Sequence, residues 1–149
     1  LAGSEVFKLA VDGRKYEVEN LATSVSSGDS REDVGDVWAS GGKYGQGVLD
    51  AIDDHVQYSV WLSAPGTYNV KIRFGKGADL GRWQFYTAGV NVGAPQEAYS
   101  DDFTFSEVNL GNVTYATTGN KTFRFTVAGK NDASTGHATA IDYVMLTKQ

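Results

Sequence analysis

The sequence predicts an all-β protein, and more narrowly a two-sheet antiparallel β-sandwich of the jelly-roll type. Three observations predict this fold. Apolar and polar residues alternate along several segments, which is the pattern of strands with one buried face and one solvated face. Turn-forming residues separate these segments at intervals of about ten residues, and the chain has 18 glycines but only two prolines. No window has the apolar spacing of an amphipathic helix.

The clearest strands lie in the middle of the chain and in its last third. The segment His55–Leu62 places apolar residues at even positions, and the Pro65-Gly66 pair that follows it is a turn signal. Segment 67–74 repeats the even-numbered pattern, whereas segment 122–127 has the opposite parity. From this parity we predict core positions for five aromatic residues, Tyr58, Tyr68, Phe74, Phe123 and Phe125.

Shorter strands are predicted around these three. They cover residues 7–11, 15–19, 48–52, 83–87, 105–110 and 138–146, and the Asp12-Gly13 pair predicts a tight hairpin between the first two. Two segments lack the strand pattern and are predicted to be loops, residues 22–47 and residues 129–136. Because binding residues gather in loops on a rigid scaffold, these two loops are the first places to look for a site.

The composition indicates one domain and excludes several classes of function. The 149 residues suit a single domain over residues 1–149, with 1–13 either a linker or an additional N-terminal strand. The net charge of −5 without a basic block argues against nucleic acid as a partner, and no apolar run approaches the ~20 residues of a membrane span. The absence of cysteine excludes thiol catalysis and cysteine-bound zinc. We expect a monomeric module that belongs to a longer polypeptide.

Three carboxylates occupy segments in which acidic residues are uncommon. Glu17 and Glu19 alternate with apolar residues in the predicted strand 15–19, so they are expected to point to the same face. Asp142 lies inside the last apolar segment, although Asp is depleted in strand interiors. If the first and last strands pair, the three charges converge, and each pair repels by ~4 kcal/mol at about 4 Å and an effective dielectric constant of about 20. A hard cation such as Ca²⁺ relieves that repulsion, and three unrelated surface carboxylates are the alternative.

The sequence contains little that indicates catalysis. It has no Gly-x-Ser-x-Gly and no His-Glu-x-x-His motif, and the glycine-rich segment 75–81 has the wrong spacing for a phosphate loop. Trp38, Tyr44 and Trp83 lie near glycine, serine, Lys43 and Arg82, and they are candidates for stacking on a sugar ring or for closing the ends of the sandwich. Trp61 has outward parity, so it is a candidate for contact with a loop or a neighbouring domain.

Several short motifs occur in a characteristic order along the chain. They are Tyr16-Glu17-Val18-Glu19, Trp38-Ala39-Ser40-Gly41-Gly42, Asp54-His55-Val56-Gln57-Tyr58-Ser59-Val60, Gly66-Thr67-Tyr68-Asn69-Val70, Gly119-Asn120-Lys121-Thr122-Phe123-Arg124-Phe125, Gly129-Lys130-Asn131 and Ile141-Asp142-Tyr143-Val144. In this order and spacing the chain, over about residues 16–148, resembles the calcium-binding β-sandwich carbohydrate-binding modules related to families six and thirty-five. Those modules are appended to secreted bacterial polysaccharide-degrading enzymes.

The resemblance implies a galactose-binding-domain-like jelly roll with a structural Ca²⁺ held by Glu17, Glu19, Asp142 and backbone carbonyls. It also implies a sugar site in loops at one end of the sandwich, although some related modules use the concave face instead. The residues that match such a loop site are Trp38, Tyr44 and Asn131, with Lys43, Arg82, Trp83, Asp132 and His137 as possible partners. Asn131 departs from the family pattern because it lies well before Asp142 and not immediately before it.

Three functions remain open on this basis. The resemblance favours a secreted, non-catalytic module that binds a polysaccharide and keeps a catalytic domain of the same polypeptide near its substrate. Lys43 and Arg82 make an acidic sugar a possible ligand. The alternatives are a structural domain that braces a catalytic neighbour without sugar affinity, and a small glycan-active enzyme with two carboxylates across a cleft.

Overall fold

The computed structural model describes residues 13–149, which form eleven strands and two short 3₁₀ helices. The 3₁₀ helices are Val18–Asn20 and Ser40–Gly42. The strands are β1 Gly13–Glu17, β2 Ala22–Val25, β3 Ser30–Gly35, β4 Lys43–Val48, β5 His55–Leu62, β6 Gly66–Lys76, β7 Arg82–Thr87, β8 Val90–Gln96, β9 Thr104–Tyr115, β10 Gly119–Gly129 and β11 Thr139–Lys148.

The strands form two antiparallel sheets that face each other. The first sheet has the order β3-β4-β11-β6-β9, and β1 is added to β11 beside β4. The second sheet has the order β2-β5-β10-β7-β8. The predicted two-sheet antiparallel β-sandwich is therefore confirmed. The predicted pairing of the first and last strands also holds for β1 and β11, in which Glu17 lies opposite Tyr143.

The core between the sheets is built from the residues that strand parity selected. Tyr58, Phe123 and Phe125 are fully buried, and Phe74 and Tyr68 are buried as well. Tyr58 and Phe125 contact each other edge to face, which is a favourable arrangement for two aromatic rings. The prediction of these five core residues is confirmed.

The prediction of a loop over residues 22–47 is wrong, because this segment contains β2, β3 and all but the last residue of β4. β2 and β3 are edge strands with mostly exposed or half-buried residues, so their sequences lack a clear apolar alternation. In β4, glycine stands where an apolar residue is expected, because a Cβ at Gly45 would lie 2.7 Å from the hydroxyl of Tyr58. Strands of this kind carry little hydrophobic signal.

One further strand prediction is wrong, one strand was missed, and one predicted strand lies outside the described residues. Residues 49–54 form a connection instead of the predicted strand 48–52, and the edge strand β8 was not predicted. β8 is largely exposed and contains a proline, which is tolerated at a sheet edge. The predicted strand 7–11 falls outside residues 13–149, and so does Asp12 of the predicted Asp12-Gly13 hairpin.

The start and the end of the described chain have irregularities that position the acidic side chains. β1 ends at Glu17, and Glu19 lies in the following 3₁₀ helix, so the expected strand geometry for this pair is wrong. In β11, the pairing with β6 shifts register between Ile141 and Tyr143. Ile141 and Val144 are both fully buried in the core, and the bulge at Asp142 accommodates the change of parity between them.

Candidate functional site

The three predicted carboxylates converge where β1 meets β11. Glu17, Glu19 and Asp142 each offer one oxygen, and these oxygens lie within 4.8 Å of one another. Asp142 is fully buried, and the two glutamates are half-buried. The pairing of β1 with β11 thus brings Asp142 close to two glutamates that lie more than 120 positions earlier in the chain. This is the convergence of charge that the sequence predicts.

Each carboxylate has one buried oxygen without a hydrogen-bond partner in the part of the chain that the structure describes, residues 13–149. These atoms are Glu17 Oε2, Glu19 Oε1 and Asp142 Oδ1. Buried carboxylate oxygens are normally paired, because an unpaired one costs a large part of its solvation free energy. Oxygen ligands at this spacing suit Ca²⁺, which binds carboxylates at about 2.3–2.6 Å. The residues present therefore fit a calcium ion, and backbone carbonyls would have to complete its coordination.

The proximity of the three charges changes the ionisation of Glu19. Burial is the largest effect and raises the pKa of Glu19 above its usual value, a backbone hydrogen bond is the next largest and lowers it, and the charges of Glu17 and Asp142 raise it further. Burial and the two neighbouring charges disfavour the charged form. A divalent cation among the three groups would act in the opposite direction.

The connection between β3 and β4 covers this cluster. The Ser40 backbone N–H donates to Asp142 Oδ2 at 2.9 Å, and the Ser40 hydroxyl donates to Glu17 Oε1. Gly41 has φ of 69°, and a Cβ there would lie 3.1 Å from Glu19 Oε2. Both the backbone conformation and the close approach of the carboxylate therefore favour glycine at 41.

A pocket of about 260 Å³ adjoins the acidic cluster on the outer face of the first sheet. It is lined by Asp36, Trp38, Arg73, Phe103, Thr104 and Phe105. Trp38 is 77% exposed and Phe103 is 43% exposed, which are large values for aromatic side chains. The pocket thus combines exposed aromatic surface with a carboxylate, a guanidinium and a hydroxyl.

Arg73 connects the pocket with the acidic cluster. Its Nη1 donates to Asp142 Oδ2 at 2.5 Å and to the backbone carbonyl of Trp38 at 2.8 Å. Its guanidinium lies 4.4 Å from the centre of the Phe105 ring, in a cation–π arrangement. These two acceptors belong to Asp142, a predicted metal ligand, and Trp38, a predicted sugar-binding residue. The sequence did not predict a role for Arg73 itself.

Two of the three predicted stacking aromatics are buried. Trp83 is fully buried between Phe74 and Phe125, with ring centroids 5.0 and 5.2 Å away, so its prediction as a sugar platform is wrong. Tyr44 is 8% exposed because Phe103 stacks on it at 5.4 Å. The prediction for Tyr44 as an open platform is also wrong, and of the three only Trp38 presents its ring to solvent.

The other predicted sugar-site residues do not line the Trp38 pocket. Arg82 donates to Glu97 Oε1 from Nη2 at 3.0 Å. Burial, the largest single effect, raises the pKa of Glu97, but hydrogen bonds from Arg82, Tyr99 and Asn131 together lower it below its usual value. Asn131 and His137 are half-buried in the loop before β11, and Asp132 and Lys43 are exposed. The predicted set therefore divides into Trp38 at one place and an Arg82–Asn131 group at another.

The structure adds pocket residues that the sequence did not reveal. Arg73 is one of several outward-facing polar residues of β6, and Phe103 follows two aspartates in a segment without strand pattern. No sequence signal distinguishes either from ordinary surface residues. Arg73 becomes distinctive only through the bulge that turns Asp142 towards it.

A second acidic group and a second exposed tryptophan lie elsewhere. Asp29, Asp50 and Asp54 place oxygens within 4.8 Å of one another, but Asp54 Oδ2 accepts two backbone N–H groups and Asp29 Oδ2 accepts the Ser26 hydroxyl. Hydrogen bonds from the protein therefore satisfy carboxylate oxygens of Asp29 and Asp54 without a metal ion. Trp61 on β5 is 61% exposed, as its outward parity predicted.

The comparisons with known proteins place the chain structurally. Neither a scan against protein-family models nor a search of curated proteins gave a match. Among solved structures, a xanthan lyase from Paenibacillus matches at 31% identity with a TM-score of 0.83, over 91% of this chain. A family 35 carbohydrate-binding module from Clostridium thermocellum matches at 16% identity and a TM-score of 0.64, over 92% of this chain and 98% of that module. The chain has the β-sandwich fold of carbohydrate-binding modules.

A third match supports the same fold. The CBM36-1 domain of a multidomain xylanase from the hindgut metagenome of Trinervitermes trinervoides has 18% identity and a TM-score of 0.62, over 93% of this chain and 98% of that domain. The chain spans 13% of the length of the xanthan lyase. None of the helices in residues 13–149 is long and apolar enough to cross a membrane.

Proposed function

We propose that the chain is a non-catalytic carbohydrate-binding module that holds a secreted polysaccharide-degrading enzyme near its substrate. The observation that carries this proposal is the Trp38 pocket, in which an exposed indole ring stands beside Arg73 and Asp36. The apolar face of a sugar ring stacks on such an indole, and its hydroxyls need polar partners at the rim. The fold shared with modules of families 35 and 36 supports the same function.

Within this pocket each side chain has a defined part in the proposal. Trp38 provides the stacking surface, and Phe103 extends the apolar floor. Arg73 provides hydrogen-bond donors, since the bonds to Trp38 and Asp142 both come from its Nη1. Asp36 Oδ1 accepts the Trp38 backbone N–H at 2.8 Å, which leaves its other oxygen for a sugar hydroxyl.

The guanidinium of Arg73 also favours acidic sugars as ligands. A planar guanidinium binds a carboxylate through two parallel hydrogen bonds. The similarity to a xanthan lyase domain makes xanthan the first polysaccharide to try. Dissociation constants of about 1 μM to 1 mM would suffice, because attachment to an enzyme raises the effective concentration of the module at the polysaccharide.

The acidic cluster supplies the second part of the proposal. Glu17, Glu19 and Asp142 would hold a structural Ca²⁺, which supplies positive charge to three converging carboxylates. The role of this chain's residues is to bring the three groups together through the β1–β11 pairing and to cover them with Ser40 and Gly41. The cluster would support the fold and not contact the sugar.

Affinity electrophoresis tests the carbohydrate function directly. The protein is run in gels that contain xanthan, xylan, mannan or no polysaccharide, alongside Trp38→Ala and the matched control Trp61→Ala. We expect retardation of the wild type and of Trp61→Ala in at least one gel, and loss of retardation for Trp38→Ala. Unretarded migration of the wild type in every gel would contradict the proposal.

Trp61 favours a second candidate function, a structural domain that braces a catalytic neighbour. An exposed indole on the outer face of the second sheet is suited to a contact with another domain. This candidate predicts no retardation by any polysaccharide. It also predicts that Trp61→Ala weakens binding of the isolated chain to the separately expressed catalytic domain in calorimetry, whereas Trp38→Ala does not.

A further inference from the structure

A continuous set of hydrogen bonds joins the Trp38 platform to the acidic cluster. Arg73 Nη1 donates both to the Trp38 carbonyl at 2.8 Å and to Asp142 Oδ2 at 2.5 Å. Two residues further along the same connection, Ser40 donates its backbone N–H to Asp142 and its hydroxyl to Glu17. The segment that carries Trp38 is therefore attached to two of the three carboxylates.

The position of the Trp38 ring depends on these backbone attachments. The ring itself is 77% exposed, so side-chain packing restrains it little. Its backbone N–H is bound to Asp36, its carbonyl is bound to Arg73, and the Ala39 N–H donates to the Asp36 carbonyl in a turn. Whatever moves Arg73 or Ser40 moves the platform.

The two anchoring carboxylates repel each other and Glu19 unless a cation balances them. Asp142 Oδ1, Glu17 Oε2 and Glu19 Oε1 are buried oxygens without a hydrogen-bond partner among residues 13–149. Asp142 and Glu17 are also the carboxylates that accept the Ser40 and Arg73 bonds. In each of Asp142 and Glu17, one oxygen thus binds the β3–β4 connection while the other has no hydrogen-bond partner among the described residues. Separation of the carboxylates would displace their hydrogen-bonded partners.

We propose that Arg73 and Ser40 are positioning residues that make the sugar platform dependent on a divalent cation at Glu17, Glu19 and Asp142. The cation fixes the carboxylates, the carboxylates fix Ser40 and Arg73, and these residues fix the backbone of Trp38. The inference rests on the proposed function for its biological meaning. Its physical content, the response of Trp38 to the metal, requires no sugar.

Direct contact between the cation and the sugar is the competing explanation for metal-dependent binding. Asp142 is fully buried, and the connection that contains Gly41 lies against Glu19. A sugar on the exposed face of Trp38 is separated from the cluster by this connection and by Arg73. The geometry therefore favours action through the hydrogen-bonded residues.

Fluorine NMR of protein labelled with 5-fluorotryptophan tests the inference with calcium alone. The three tryptophans give three resonances, which Trp→Phe variants assign. We expect calcium addition to chelator-treated protein to shift and narrow the Trp38 resonance, while that of Trp61, on the opposite sheet, stays unchanged. A calcium-dependent rise in melting temperature with an unchanged Trp38 resonance would overturn the inference, and so would the absence of any calcium binding.

Variants studied in the presence of saturating calcium test the same inference, and they do not require that the metal-free protein stays folded. Arg73→Gln and Ser40→Ala should move the Trp38 resonance towards its metal-free position or broaden it, although calcium still raises their melting temperatures. Lys71→Gln, which removes a charge two residues away on the same strand, is the matched control and should leave the resonance in place. Wild-type Trp38 resonances in both test variants would refute a positioning role.

Calorimetry with xanthan oligosaccharides separates this inference from the proposed function. Coupling is reciprocal, so calcium should strengthen oligosaccharide binding by the same factor as the oligosaccharide strengthens calcium binding, on the order of tenfold. Equal oligosaccharide affinity with and without calcium, together with its loss in Trp38→Ala, would refute the coupling and leave the carbohydrate function intact. A Trp38 resonance that responds to calcium, without binding of any oligosaccharide, would retain the positioning role and refute the sugar ligand.

Discussion

Asp142→Asn is the substitution that tests the acidic cluster most sharply. Without metal, it removes two repulsive pairs, which together are worth about 7 kcal/mol if both separations are taken at their upper limit of 4.8 Å and the effective dielectric constant is about 20. It also removes the attraction between Asp142 and Arg73, which is about 7 kcal/mol at 2.5 Å by the same estimate. Because these terms nearly cancel, we expect metal-free Asp142→Asn to melt close to metal-free wild type.

Calcium should distinguish the two proteins. At a calcium concentration of about one hundred times the dissociation constant, the wild type gains about 2.7 kcal/mol, which corresponds to a rise in melting temperature of about 5–10 °C. Asp142→Asn should lose this rise, because the variant has one carboxylate fewer for the ion. Asp54→Asn, in the other acidic group, is the matched control and should keep it. A calcium response of equal size in Asp142→Asn and wild type, by scanning calorimetry with and without chelator, would refute the assignment of the site.

Three further predictions follow from single side chains, and calorimetry or denaturant titration checks each. Gly41→Ala should lower the free energy of unfolding by roughly 1–2 kcal/mol and reduce the rise in melting temperature that calcium causes. Gly28→Ala is the control, because Gly28 also has a positive φ but a Cβ there would have no described atom within 4 Å, and it should keep the full rise. An equal rise in both variants would contradict the close approach of Glu19 to Gly41. Trp83→Ala should lower the free energy of unfolding by about 3–5 kcal/mol, because this side chain is fully buried, whereas Trp38→Ala should lower it by about 0.5 kcal/mol or less. A larger loss for Trp38→Ala than for Trp83→Ala would contradict the burial of Trp83. Burial raises the pKa of Tyr58 to about 12, above its value of about 10 in an unfolded chain, so the unfolded protein loses this proton first. The contribution of Tyr58 to stability should therefore fall by about 2 kcal/mol between pH 10 and pH 12, out of about 2.7 kcal/mol in all at higher pH. Tyr58→Phe should show a smaller fall, and an identical pH dependence would exclude Tyr58 as its source.

The sequence predicted the fold because its central strands each have one buried face. Alternation in His55–Leu62 and segment 67–74 reports burial directly, so both strands and their aromatic core residues were identified. Edge strands such as Ser30–Gly35 bury little, and no pattern marks them. Such strands are held mainly by backbone hydrogen bonds to a neighbouring strand, and the sequence alone does not show which segments these are.

The site was predicted in part, for a related reason. The carboxylates Glu17, Glu19 and Asp142 were recognised because charge in a strand is unusual, and that argument depends on residue type alone. The platform could not be separated from the core by the same means, since Trp38 and Trp83 both have polar residues within two positions in sequence but are 77% and 0% exposed. Position in a loop or in a central strand decides between them, and this depends on the whole sheet.

The charge balance around Asp142 connects the fold, the proposed ion and the proposed pocket. Three carboxylates and the Arg73 guanidinium leave two negative charges uncompensated, and one divalent cation would balance them. A lysine at 73 would carry the same charge, but it could not reach two acceptors while lying flat on the Phe105 ring. Arg73→Lys should therefore preserve calcium binding and melting temperature better than it preserves the Trp38 resonance. A variant that lost all three to the same degree would show that charge alone, and not the geometry of the guanidinium, links the cluster to the pocket.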